Sequence, residues 1–158
     1  MINNNIIKVL QIEDNPGDIT LVRKSLPKDK FLIMTAKNLS EGLKLIKQNK
    51  FDVFVVDLNL PDSKGIDSID RIASLAPGYP IIVLTSIEEE YIQLESANHG
   101  AFFFFQKSEL PCKVFNRAIK FANIYYGSEH ERAARGSSIA LRNLKNFMTK
   151  SSTFGRKK

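Results

Sequence analysis

Apolar and polar positions alternate in blocks along this chain. Ile6-Ile7-Lys8-Val9-Leu10-Gln11-Ile12 is a β-branched run that stops at Glu13-Asp14-Asn15-Pro16-Gly17, which reads as a strand feeding a loop. Asp18 then caps a helix whose Ile19, Val22 and Leu26 share a face, stopped at Pro27. Phe31 to Thr35 is a second strand. Asn38 with Glu41 three residues on resembles a capping box, and Leu39, Leu43 and Ile46 supply the helical stripe. Val53-Phe54-Val55-Val56 is a third strand ending at Asp57, with a loop from Leu58 to Gly65. Ile66, Ile69 and Ile72 mark a helix that Pro77-Gly78 breaks. Pro80 to Leu84 ends at Thr85-Ser86. Tyr91 and Leu94 anchor a helix behind Glu88-Glu89-Glu90, acids that suit a positive helix N-terminus, and Gly100 ends it. Phe102 to Phe105 form a fifth strand ending near Lys107, with Phe103 and Phe105 on one side and Phe102 and Phe104 on the other. Pro111 opens a last helix through about Tyr126.

Five strand–helix alternations with strands that are apolar throughout predict a parallel sheet covered on both faces. Right-handed crossovers then make it a doubly wound α/β fold. The length of 158 residues suits one domain, and no apolar run is long enough to span a bilayer. The polar start Met1-Ile2-Asn3-Asn4-Asn5 lacks the plan of a secretory signal. Cys112 is the single cysteine and there are two histidines, so neither an internal disulfide nor a structural zinc site fits, and a cytoplasmic setting is the simplest.

Charge changes the picture only once it is located. Residues 1–127 hold 15 Lys and Arg against 15 Asp and Glu, so the whole net charge of +6 sits in residues 128–158. The chain divides into a neutral domain, 1–127, and a basic tail.

In an open parallel sheet, ligands bind outside the carboxyl ends of the strands. Those ends carry Glu13-Asp14, Asp57, Thr85-Ser86 and Lys107 here. Crowded carboxylates repel unless a cation sits among them, and an all-oxygen donor set suits Mg²⁺ or Mn²⁺ rather than zinc. A hydroxyl and an ammonium beside them provide donors for a phosphoryl group, which an activated Asp can accept. On Glu13-Asp14, the run Val56-Asp57-Leu58-Asn59-Leu60-Pro61-Asp62-Ser63-Lys64-Gly65, Leu84-Thr85-Ser86 and Gly100 to Lys107, the chain resembles the receiver domains of two-component response regulators over about residues 6–126.

The resemblance implies a flavodoxin-like sheet of strand order 2-1-3-4-5. It also implies that Asp57 is the phosphoacceptor, that Asp14 ligates the metal directly and Glu13 mainly through water, and that Asn59 offers its backbone carbonyl. Thr85 matches the hydroxyl that moves toward the phosphoryl group, Lys107 its cationic partner, and Phe104 the aromatic whose rotamer follows Thr85. The implied partners are a histidine kinase or phosphotransfer protein upstream. Downstream lies a protein target or a self-dimer, bound through helix four, strand five and helix five. Two departures stand out: Ser108 replaces the usual proline after Lys107, so no cis X-Pro bond is expected to shape that loop, and Ser86 is larger than the common alanine or glycine.

A haloacid-dehalogenase-type phosphatase would need a second Asp two residues after the nucleophile. Asn59 stands there and cannot serve as general acid, so the chain is expected not to be an enzyme in its own right. The expected function is a stand-alone receiver in a phosphorelay. The alternatives are a phosphate-independent protein-binding module or the receiver part of a longer regulator or hybrid kinase. In the tail, Ala140, Leu141, Leu144, Phe147 and Met148 follow helical spacing beside Arg142 and Lys145, with Ser137-Ser138 as a cap. The tail is either a solvated extension or the start of a linker, or an output helix that docks on an acidic partner or a membrane surface. Nucleic acid comes last, because eight cations without interleaved aromatics give only non-specific contacts.

Overall fold

A computed structural model of the chain describes residues 5–127, so the anticipated tail helix lies outside the described residues. Its strands are β1 (Ile7–Ile12), β2 (Phe31–Ala36), β3 (Val53–Val56), β4 (Ile81–Thr85) and β5 (Ala101–Gln106). The helices are α1 (Pro16–Ser25), α2 (Leu39–Gln48), α3 (Asp67–Leu75), α4 (Glu90–Asn98) and α5 (Lys113–Tyr126). All five strands pair in parallel in the order β2-β1-β3-β4-β5, the order anticipated above.

Each strand is apolar throughout because it feeds two cores. Along β1, Ile7 and Val9 enter the core under α1 and α5, while Leu10 and Ile12 enter the one under α2 and α3. β3 divides the same way, Val53 and Val55 against Phe54 and Val56. α5 seats Phe115, Ala118, Ile119 and Ala122, and α3 seats Ile69 and Ile72. At about 25 cal/mol per Å² of apolar surface removed from water, these two layers are the main source of cohesion.

Three local expectations are corrected. Asn15, not Asp18, caps α1: its Oδ1 accepts from the amides of Gly17 at 2.9 Å and Asp18 at 3.1 Å, with Pro16 at the first helical position. Tyr91 and Leu94 do not anchor α4; they are 66% and 61% exposed, and the helix seats Ile92 and Ser96 instead. α4 also begins without a side-chain cap. Finally, the four phenylalanines do not alternate. Ile81 pairs with Ala101 but Ile82 pairs with Phe103, so Phe102 is an extra residue in the ladder. Phe102, Phe103 and Phe105 therefore all pack toward α5, and Phe104 alone turns toward the other core.

The segment after β3 is fastened across the top of the sheet. Asn59–Leu60 and Ser63–Lys64 form a small antiparallel ladder, closed by Gly65 at φ +68, a conformation that favours glycine. Asp62 accepts from the amides of Leu39 at 2.8 Å and Ser40 at 2.9 Å, so a loop residue caps α2 from outside the helix. Asn38 caps the same helix through Glu41, whose own carboxylate accepts from Lys37 rather than Asn38. The slight burial of Asp62 would raise its carboxyl, but the amides of Ser40 and Leu39 outweigh it and hold it below the ordinary 3.8. Asp62→Asn keeps one acceptor oxygen but loses the other and the charge, and is expected to cost about 1 kcal/mol at neutral pH, read as a lower urea midpoint. An acid with a depressed folded value contributes stability above its unfolded value and loses it as pH falls through the folded one. The gap between wild type and variant should therefore hold steady at neutral pH and close below about pH 4. A gap that persists unchanged into acid would contradict the clamp.

Candidate functional site

β1 and β3 lie side by side at the point where strand order reverses, and their ends are in register, Ile12 beside Val56. The chain continues this pairing one step further: the Asp57 amide donates to the Ile12 carbonyl at 3.0 Å, and the Glu13 amide to the Ala36 carbonyl at 2.9 Å. Glu13 and Asp57 are thereby held at the rim, 2% and 4% exposed, while Asp14 next to them is open to solvent. Ligand oxygens of Glu13, Asp14 and Asp57 lie within 4.8 Å of one another.

Lys107, delivered by the end of β5, enters this cluster. Its Nζ stands 2.8 Å from Glu13 Oε2, 2.8 Å from Asp57 Oδ2 and 2.7 Å from Asp18 Oδ2. Burial alone would push the ammonium down, but the carboxylates of Asp18, Asp57 and Glu13 outweigh it and hold Lys107 above the ordinary lysine range. It is a fixed cation at neutral pH. Burial pushes the Glu13 carboxyl up to about 7, against the pull of Lys107 and of the Asn15 amide, with the Asp57 charge adding to the rise.

The remaining oxygen of Asp57 accepts from the Asn59 amide at 3.2 Å. The Asn59 side chain turns away to Lys64, whose Nζ donates to its Oδ1 at 2.6 Å. Thr85 is fully buried at the end of β4, its Oγ1 accepting from the Ile87 amide at 3.4 Å. Alternation along β4, which sends Ile81 and Val83 into the α2/α3 core, puts Thr85 on the same side as half-buried Phe104.

The structure thus joins Glu13, Asp14, Asp57 and Lys107 in one pocket, with the Asn59 amide on Asp57, and puts Thr85 and Phe104 on the same face of neighbouring strands. Two features differ from the sequence reading. A cis peptide bond is present after all, at Leu110–Pro111 rather than directly after Lys107, where Lys107–Glu109 forms a single 3₁₀ turn. Asp18, read as a cap, is instead a pocket residue. Its signal lay in the preceding pair: Asn15 as cap and Pro16 as first helical residue put Asp18 at the third position, facing the strand ends.

An ammonium and a set of carboxylate oxygens, with one acid open to water, form a donor set that fits a hard divalent cation and the oxygens of a phosphoryl group. Comparison with known proteins places the chain in a family. The sequence profile of the response regulator receiver domain matches residues 9–118. The chain is 27% identical over 99 residues to the transcriptional regulatory protein GlrR of Escherichia coli (strain K12), covering 63% of this chain and 22% of that protein. It is 28% identical over 107 residues to the alkaline phosphatase synthesis transcriptional regulatory protein PhoP of Bacillus subtilis (strain 168), covering 68% and 45%. It spans less than half the length of these two relatives. Among solved structures, the beryllofluoride-activated receiver domain dimer of NtrC4 superposes with a TM-score of 0.69 at 30% identity, covering 76% of this chain and 98% of that one.

Proposed function

The chain belongs to the response regulator receiver family, and from that premise we propose that it takes a phosphoryl group on Asp57 and relays it as a change of surface. The observation that carries the assignment is the carboxylate of Asp57, 4% exposed yet held at the open rim of the sheet by Lys107 at 2.8 Å. A buried carboxylate is costly unless it is partnered, and this one is partnered in a way that leaves it facing a pocket of further acids.

Asp57 Oδ attacks the phosphorus of a phosphohistidine on a histidine kinase or phosphotransfer protein. The P–O bond forms as the P–N bond breaks, and the imidazole keeps the electron pair and takes a proton. The product is an acyl phosphate whose oxygens face the Lys107 ammonium. Lys107 stabilises charge on those oxygens in the transition state, and the Thr85 hydroxyl, drawn toward them, donates a further hydrogen bond. Glu13, Asp14 and Asp57, with the Asn59 carbonyl, are the groups that would hold Mg²⁺, which supplies charge neutralisation for the entering phosphoryl group. The chain acts as acceptor and signal rather than as an enzyme on other substrates.

Movement of Thr85 opens space on the side where Phe104 lies, so the change is carried to α4, β5 and α5 by packing. That face is already apolar. Tyr91 and Leu94 on α4 and Val114, Phe121 and Ile124 on α5 are all exposed. Such surface suits a protein target or a second copy, and the NtrC4 receiver is itself a dimer. No helix among the described residues is long and apolar enough to cross a membrane.

The test is incubation of the full chain with a small phosphodonor and Mg²⁺, read by intact mass. Wild type should gain one phosphoryl group and Asp57→Ala none. An unlabelled wild type, or equal labelling of the variant, would overturn the assignment and favour a phosphate-independent binding module.

A further inference from the structure

The Lys107 ammonium has three protons and three carboxylate partners, Glu13, Asp57 and Asp18, all within 2.8 Å. Two of those partners belong to the proposed reaction. Asp57 loses its charge when its oxygen is esterified, and Glu13 is one of the groups offered to a cation. Asp18 is committed to neither. It sits in the first turn of α1, and its amide is bonded to the Asn15 cap at 3.1 Å, so its backbone is fixed by an element outside the chemistry. A lysine on its four-carbon stem has many rotamers, and an ammonium that wanders stabilises a transition state poorly.

We infer that Asp18 is a positioning residue for phosphoryl uptake: it anchors the Lys107 ammonium beside Asp57 and keeps it there while the other two contacts are exchanged. This rests on the reading of Asp57 as acceptor. When the phosphoryl group arrives, the N–H that Asp57 held passes to a phosphoryl oxygen, and the bond to Asp18 stays. The competing account is purely structural, an acid placed in a helix first turn for its dipole, with the lysine contact incidental. The two accounts differ in what they move.

The full chain is compared as wild type, Asp18→Asn and Asp18→Glu, with Asp57→Ala as the labelling control. Uptake from a small phosphodonor is followed across a Mg²⁺ series, and the Lys107 ammonium is observed directly by ¹⁵N NMR. Asp18→Asn should slow uptake at saturating Mg²⁺ by roughly tenfold, since small displacements of a catalytic group cost at least that much. The half-saturating Mg²⁺ should move less than the rate, because Asp18 is not among the groups that would hold the cation. Asp18→Glu should restore most of the rate by reaching the same ammonium. The Lys107 ammonium signal should be sharp in wild type and lost to water exchange in Asp18→Asn. Wild-type rates and an unchanged ammonium signal in both variants, with only thermal stability lowered, would overturn the proposal while leaving Asp57 as acceptor. An unlabelled wild type would overturn the acceptor reading and this one with it.

Discussion

Lys107→Met should cost the fold about 3 kcal/mol in the presence of a chelator, the range expected when one partner of a buried ion pair is removed. The methionine fills much of the same space, so the loss is electrostatic rather than a cavity. Glu13 and Asp57, 2% and 4% exposed, would face each other with no ammonium between them. Asp18, more open to water, would be less affected, with its side chain 24% exposed against 2% for Glu13 and 4% for Asp57. The measurement is a urea midpoint with and without Mg²⁺. Because a cation binding only the folded chain stabilises it by mass action, Mg²⁺ should return part of the loss, and return more in the variant than in wild type. A variant as stable as wild type without the ion would mean that the three contacts of Lys107 do not hold the acids together.

Phe102→Ala is expected to cost about 3–5 kcal/mol, a large part of the roughly 5–15 kcal/mol that holds an ordinary domain folded. The ring is fully buried and meets Phe103 at 4.6 Å, Tyr126 at 5.1 Å, Tyr125 at 5.5 Å and Phe121 at 6.1 Å between centroids. It is the pin between the edge strand β5 and α5, and truncating it leaves a void that neither element can close alone. Phe103→Ala, at a half-buried position, should cost clearly less in the same denaturation experiment. Equal losses would mean that the extra residue in the β5 ladder does not single out Phe102.

Much of this was legible in the chain itself, for a physical reason. A strand covered on both faces must be apolar at every position, so Val53 to Val56 announces a central strand, and the polar residue that ends each such run marks the rim where ligands bind. Glu13, Asp14, Asp57 and Lys107 were found that way. Phe102 was misplaced because alternation has period two and a run of four identical side chains gives no sign of where an extra residue enters. Tyr91 and Leu94 were misread because α4 is short and carries apolar residues around its circumference, so more than one stripe can be drawn through it. Asp18 was read by its neighbours in sequence, whereas the contact that defines it is 89 residues away. Local pattern says what a residue can begin, and only the closed fold says what it touches.

The clamp of Asp62 on α2 bears on how force leaves the pocket. A phosphoryl group on Asp57 would draw on every donor around it, yet the walls of the pocket are held with different firmness. The segment after β3 is strapped to α2 by two amides of that helix donating to one carboxylate, and closed on itself where the Gly65 amide meets the Leu58 carbonyl at 2.8 Å. The segment after β4 leads into a helix with no side-chain cap and is held back at Thr85 by one long bond of 3.4 Å. One wall is a fulcrum and the other a lever. On the proposed reading, a pull felt on every side is answered where the chain is held least, at Thr85, and loosening the strap should make the molecule respond on both sides and signal less on either.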